Sequence, residues 1–173
     1  MQMTSRLTRV TIVAAALSAA NAASAEGTIT PELGLGQISG GRVYHIGDMR
    51  RETVSMNVAL GYRWDNGFGV RAVSIGAFDI MKSNEPPSFN DFYGLQATGQ
   101  FPLASKLDLT AGLGAGRTGL NGGAPGHRQD MTDGIASAGL QYRPFTHFAL
   151  ELHLDYLTHT HERNLALMAQ VPF

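Results

Sequence analysis

The sequence predicts an all-β fold: an eight-stranded antiparallel up-and-down transmembrane β-barrel. Three observations lead there. Apolar residues recur at every second position in stretch after stretch, the period of a strand with one apolar face. Short and long connections between those stretches alternate strictly. Glycine is abundant, at 21 of 173 residues, while lysine, the usual solvating residue of an exposed face, occurs only as Lys82 and Lys106.

The strands follow in chain order. Residues 28–36 form the poorest, because Pro31 suits only a strand start or an edge position. Residues 54–64 alternate well, with Val54, Met56, Val58, Leu60, Tyr62 and Trp64 on one face. Residues 67–81 alternate less cleanly, since Val73 and Ile75 fall in phase with Arg71 and Asp79. Residues 93–101 set Tyr93, Leu95, Ala97 and Phe101 against Gly94, Gln96, Thr98 and Gln100. Residues 107–115 set leucines and alanines against Asp108, Thr110, Gly112 and Gly114, and 136–142 set Ala136, Ala138, Leu140 and Tyr142 against Ser137, Gly139 and Gln141. FALELHLDYL (148–157) follows, and the last strand reads Leu165, Leu167, Ala169, Val171, Phe173.

Asp65-Asn66-Gly67 is a hairpin signal, because Asn and Gly tolerate the positive φ of a tight turn. Equally short links fall at 104–105 and 144–146. The other connections, near 37–51, 82–90, 117–131 and 159–162, are polar and mostly longer. In an eight-stranded meander this sorts the tight turns to one end and the longer loops to the other. Membrane barrels sort them so, with short periplasmic turns and longer external loops.

The composition bounds the rest. A formal net charge of −1 gives no pull toward nucleic acid. The absence of cysteine excludes disulfides, thiol nucleophiles and thiolate metal sites. Residues 1–25 read as a cleaved signal peptide: Arg6 and Arg9 supply the positive region, Val10 to Ala20 the apolar core, and Ala23-Ser24-Ala25 the cleavage pattern. Residues 26–173 then form one barrel domain.

Alternation alone does not say which face is outside. The small polar face, rich in glycine and empty of lysine, is a poor coat in water and a good lining for a narrow lumen. Aromatic residues of the apolar face, Tyr62, Trp64, Tyr93, Phe101, Tyr142, Phe148 and Tyr156, cluster near strand ends, as girdles at a bilayer interface do. Each apolar face runs roughly nine to eleven residues, the length a tilted strand needs to cross the hydrocarbon. The apolar face is therefore expected to point outward into lipid.

DFYGLQATGQFPLASKLDLTAGLGAG (91–116), GIASAGLQYRPFTHFALELHLDYL (134–157) and the alternating last strand ending in Phe173 resemble the OmpA-like outer-membrane barrels, of the opacity and surface-antigen (porin) type, of Gram-negative bacteria. The resemblance covers essentially the whole mature chain. It implies a surface-exposed protein in contact with outer-membrane lipid and lipopolysaccharide. It also implies that Phe173 serves as the terminal aromatic read by the barrel-assembly machinery. Pro172 departs from that pattern by removing one strand donor.

On this reading Glu151, His153 and Asp155 point into the lumen, together with Glu32, Arg63, Arg71, Asp79, Asp108 and Arg143. An eight-stranded barrel is only wide enough to be filled by side chains, and buried charges must be paired. The expectation is an ion-pair and hydrogen-bond network that plugs the barrel. Gating of protons or ions by His153 is the sharper alternative. His159 and His161 are spaced to share a metal with Glu162 or His127, but a polar loop explains them as well, and no metal or cofactor is expected.

Lipid A deacylases of similar size carry His–x–Ser on a late strand, and that motif is absent here. Loop residues His45, Asp48, Ser88 and His127 could meet for acyl transfer, but nothing beyond residue type recommends them. The resulting expectation is a non-enzymatic outer-membrane barrel whose outer loops near 37–51, 82–90 and 117–131 carry recognition of any extracellular ligand. A lipid A-modifying hydrolase or transferase and a narrow ion pore are the alternatives.

Overall fold

A computed structural model describes residues 27–40, 53–78, 88–121 and 128–173. Eight strands run in chain order: β1 (Gly27–Gly40), β2 (Thr53–Trp64), β3 (Phe68–Phe78), β4 (Ser88–Ala104), β5 (Leu107–Asn121), β6 (Arg128–Phe145), β7 (Phe148–Leu157) and β8 (Glu162–Gln170). Each pairs antiparallel with its sequence neighbour, and β1 pairs with β8, so the sheet closes into a barrel. Closure is what permits strands in a bilayer, because it leaves no edge whose N–H and C=O groups lack partners. Residues 1–25, Asp79, His45, Asp48 and His127 lie outside the described residues.

The seam closes beyond the end of β8. Phe173 N donates to Ile29 O (2.9 Å), Ile29 N donates back to Phe173 O (3.2 Å), and Val171 N donates to Pro31 O (3.1 Å). Pro172 lies between the two donors that this pairing uses, so its missing N–H costs the seam nothing.

The β2–β3 turn forms as its residues dictate. Gly67 adopts a φ of 84°, which an L side chain rarely tolerates. Its N–H donates to Trp64 O (3.0 Å), and Asn66 Oδ1 accepts from Phe68 N (3.0 Å). The β4–β5 and β6–β7 turns lie at the same end of the barrel, as do Gly27 and Phe173.

The alternation sorts the faces as the sequence suggests. Leu33, Leu35, Leu95, Leu113, Leu152, Leu154, Leu165 and Leu167 point away from the barrel and are exposed, as are Leu109 and Leu140. Between them the interior-facing Gln96, Asp108, Gln141, Glu151, His153 and Asp155 are buried. Charged groups are inside and leucines outside, the reverse of a water-soluble domain and the arrangement of a barrel in lipid. Tyr62 and Trp64 meet edge to face at 5.5 Å between ring centroids, and Phe68 meets Phe101 at 6.4 Å. With Tyr142 and Phe148 these rings girdle the turn end, while Tyr93 and Tyr156 lie toward the other.

Two expectations need correction. Residues 37–40, 88–90, 117–121 and 128–131 are strand rather than loop. β4, β5 and β6 run 17, 15 and 18 residues against 10 and 9 for β7 and β8, so they stand clear of the apolar belt. Outside hydrocarbon a strand has no need of an apolar face, and a polar stretch such as Arg117–Asn121 therefore reads as loop while it pairs as strand. The second correction concerns the lumen, which glycines and ion pairs do not fill alone. Ile38, Ala59, Val73, Ile75, Phe92, Leu120, Ile135 and Leu157 form a buried apolar cluster inside the barrel, with Ala77 and Met131 packed against it.

Candidate functional site

The lumen divides into two levels. The one nearer the tight turns is polar, and its centre is His153 on β7. Its Nδ1 lies 2.9 Å from Glu151 Oε1 and its Nε2 lies 2.9 Å from Asp155 Oδ1. Residues two apart on a strand share a face, which is how one strand delivers all three groups inward. Arg71 on β3 reaches across, its Nη1 lying 3.1 and 3.4 Å from the two ring nitrogens. Its Nη2 donates to Glu32 Oε2 at 2.5 Å. Three carboxylates thus surround one guanidinium and one imidazole, all of them buried.

Neutral amides extend this cluster toward the turns. Gln170 donates to Glu32 (3.1 Å) and to Glu151, and it accepts from Gln141. Gln100 donates to Gln141 (2.5 Å) and to Asp108 (2.7 Å) and accepts from Arg63. Arg143 Nη2 pairs with Asp108 Oδ2 at 2.8 Å. Glu32, Arg63, Arg71, Asp108, Arg143, Glu151, His153 and Asp155 therefore belong to one connected set of hydrogen bonds. Away from the turns, Asp155 accepts from Asn164, which bonds in turn to Asn57 and Ser55. The sequence reading missed these amides, because glutamine and asparagine on an inward face look like any small polar lining. Their signal is position: Gln141 falls in phase with Asp133 and Arg143, Asn164 and Gln170 fall in phase with Glu162, and Gln96 and Gln100 alternate with the outward Leu95, Ala97 and Phe101.

Room for these groups comes from glycine. A Cβ on Gly139 would overlap Glu151 Oε1 and lie 2.6 Å from Thr110 Oγ1, itself a donor to Glu151. Two cavities adjoin the network. One of about 70 Å³ lies between Glu32, Arg71, Gln100, Glu151 and His153. A larger one of about 250 Å³ lies at the turn end, lined by Thr28, Arg63, Trp64, Gln100, Asp108 and Arg143 among others.

The level farther from the turns is apolar on the β2–β6 side. Phe92 and Ile75 are completely buried. The ring of Phe92 lies over Gly94 and Gly116, where added Cβ atoms would come within 2.8 and 2.7 Å of its Cζ. Above the cluster Asp133 holds the β7–β8 turn. It accepts from His159 N (2.7 Å), Thr160 N (3.1 Å) and Thr160 Oγ1 (2.7 Å).

The chemistry of the set is limited. Each nitrogen of His153 faces a carboxylate, and its third neighbour is a guanidinium, so no hydroxyl is placed for activation as acyl hydrolysis requires. At the β7–β8 turn Tyr156 Oη and His161 Nδ1 are 2.5 Å apart, while Glu162 is buried facing the lumen. Among the described residues no three His, Asp or Glu side chains are placed to share a metal ion.

No protein-family model and no curated protein matches the chain. Solved structures do. Ail, the attachment invasion locus protein of Yersinia pestis, superposes with a TM-score of 0.61 at 21% identity, over 86% of this chain and 99% of its own. The N-terminal barrel domain of Pseudomonas aeruginosa OprF gives 0.60 at 16% identity, over 86% and 100%. Neisserial surface protein A gives 0.57 at 15% identity, over 85% and 97%. At such identities the likeness is one of fold, and it agrees with the closed sheet and the apolar belt: the chain is an eight-stranded transmembrane β-barrel with the architecture of these outer-membrane proteins.

Proposed function

We propose that the protein resides in the outer membrane of a Gram-negative bacterium as a non-enzymatic barrel. Its end away from the tight turns faces outward and meets extracellular ligands. The observation that carries this reading is the division of labour in the barrel. The belt suits lipid, the lumen is occupied by side chains that bond mainly to one another, and β4–β6 rise above the belt with polar residues. Arg117, Gln129, Asp130 and Thr132 are exposed on that raised wall.

Ail has been solved in complex with the heparin analogue sucrose octasulfate. By that likeness the raised wall and the segments around 41–52, 79–87 and 122–127 are where a ligand of this chain is sought. Residues 1–25 act in this reading as the export signal, and Phe173 as the assembly signal. Lipid and lipopolysaccharide surround the belt.

Surface labelling of intact cells tests the assignment. Single cysteines are placed at Gln129 and Thr132 on the raised wall and at Lys106 and Thr146 in the tight turns, in a chain that has no cysteine of its own. A membrane-impermeant maleimide should label the first pair in whole cells and the second only after lysis. Equal labelling of all four, or the reverse order, contradicts the proposed orientation. A change in the acyl chains of lipid A on expression would contradict the non-enzymatic reading.

A further inference from the structure

We propose that the cavity at the turn end of the barrel is a binding site for a small oxyanion, held between Arg63 and Arg143. The cavity measures about 250 Å³ and is lined by Thr28, Arg63, Trp64, Asp65, Gln100, Asp108 and Arg143 among others. It lies at the mouth where both ends of the described chain and all three tight turns meet, so it opens to the side opposite the raised wall.

Its two cations are not equally engaged. Arg143 pairs with the buried Asp108 through Nη2 at 2.8 Å, yet its Nε is buried without a partner. Arg63 donates to Gln100, a neutral amide, and the ion pair of the cavity leaves it out. A half-buried guanidinium bonded, among the described residues, to one amide retains unused donors, and the planar fork of N–H groups matches phosphate and carboxylate oxygens. Arg63 is close enough to Arg143, Asp108 and Asp65 to feel their charges. Asp108 already has Arg143 and Gln100 to balance it, and Asp65 is exposed on the rim. An oxyanion on the Arg63 side would therefore separate two like charges while Asp108 keeps its own partners. Inside the barrel the next cation, Arg71, lies outside this cavity's lining and its charge is paired with the buried Glu32, although its Nε too lacks a partner.

Trp64 lines the cavity and is the only tryptophan of the chain, which supplies a reporter. Protein refolded in a nonionic, phosphate-free detergent is titrated with potassium phosphate at constant ionic strength, and Trp64 emission is followed. The expected result is a saturable change that chloride alone does not produce. Arg63→Gln should weaken it at least tenfold and Arg143→Gln severalfold, while Arg163→Gln, exposed on β8 and outside the cavity lining, should leave it unchanged. Arg63→Lys should recover only part of the affinity, because an ammonium lacks the fork. Heat-modifiable migration on gels checks that each variant is folded, and if Arg143→Gln does not fold, Arg63→Gln decides. A linear response in the wild type, an equal response to chloride, or unchanged binding in folded Arg63→Gln overturns the site. None of these outcomes bears on which end of the barrel faces outward, so failure here leaves the functional reading standing.

Discussion

β3 shows both ways in which this barrel fills its interior. Arg71 points inward among Glu32 and His153, whereas Val73 and Ile75, on the same face and closer to the raised wall, point inward among Phe92 and Ile135. The turn-side level is polar and adjoins cavities, and the farther level carries an apolar cluster. A small barrel must fill its lumen, but either chemistry does so. The polar level is specific, since every buried charge depends on a named partner. The apolar level depends on volume and shape. The two should therefore respond differently to substitution.

The largest effect is expected at Arg71. Arg71→Ala leaves Glu32 without its cation, and breaking a buried pair from one side costs about 3–5 kcal/mol. Urea unfolding of protein inserted in lipid vesicles measures it. Arg71→Met combined with Glu32→Gln should recover most of that loss, and a double variant no better than the single would remove the partner dependence claimed for this level. Ile75→Ala comes next, at about 3 kcal/mol for a buried side chain whose space does not collapse. Ile75→Leu should cost under about 1.5 kcal/mol, and an equal loss for both would mean that shape does not govern the apolar cluster. Gly116→Ala is expected to cost about 1–3 kcal/mol, because the added methyl meets the backbone oxygen of Tyr93 as well as the ring of Phe92. Coupled with Phe92→Leu it should cost less than alone.

The smallest effect lies outside both levels. Thr160→Val removes one of the bonds to Asp133 and should cost about 1 kcal/mol, since the backbone donors of His159 and Thr160 remain. The comparison is sharpest in a cycle across the levels. Arg71→Ala and Ile75→Ala share no partner and should add to within about 0.5 kcal/mol, whereas Arg71→Ala and Glu32→Ala should couple by more than about 1 kcal/mol.

Much of this architecture can be read in the sequence for a simple physical reason. A strand between lipid and a packed lumen must alternate at every residue, so the belt residues of all eight strands are visible as a pattern, and the tight turns show as Asp65-Asn66-Gly67 and its shorter counterparts. What escapes the pattern is whatever ceases to obey that constraint. Above the belt β5 continues through Arg117–Asn121 without an apolar face and reads as loop. Inside the lumen, Val73, Ile75, Ile135 and Leu157 are apolar residues in phase with Arg71, Gln141 and Asp155, and they read as broken alternation. The imperfect repeat at 67–81 was thus the signal of the apolar cluster. Gln100, Gln141 and Gln170 escape for another reason: neutral amides announce no chemistry until a fold brings three strands together.

Spin labels placed one at a time at Leu109, Leu140 and Leu152 in vesicle-inserted protein test most directly the orientation on which all of this depends. Their side chains are exposed on the belt, so relaxation should show high contact with oxygen, which concentrates in acyl chains, and little with a water-soluble nickel chelate. Immobilised labels out of reach of both relaxants would place those leucines in a packed core and contradict the lipid-facing belt.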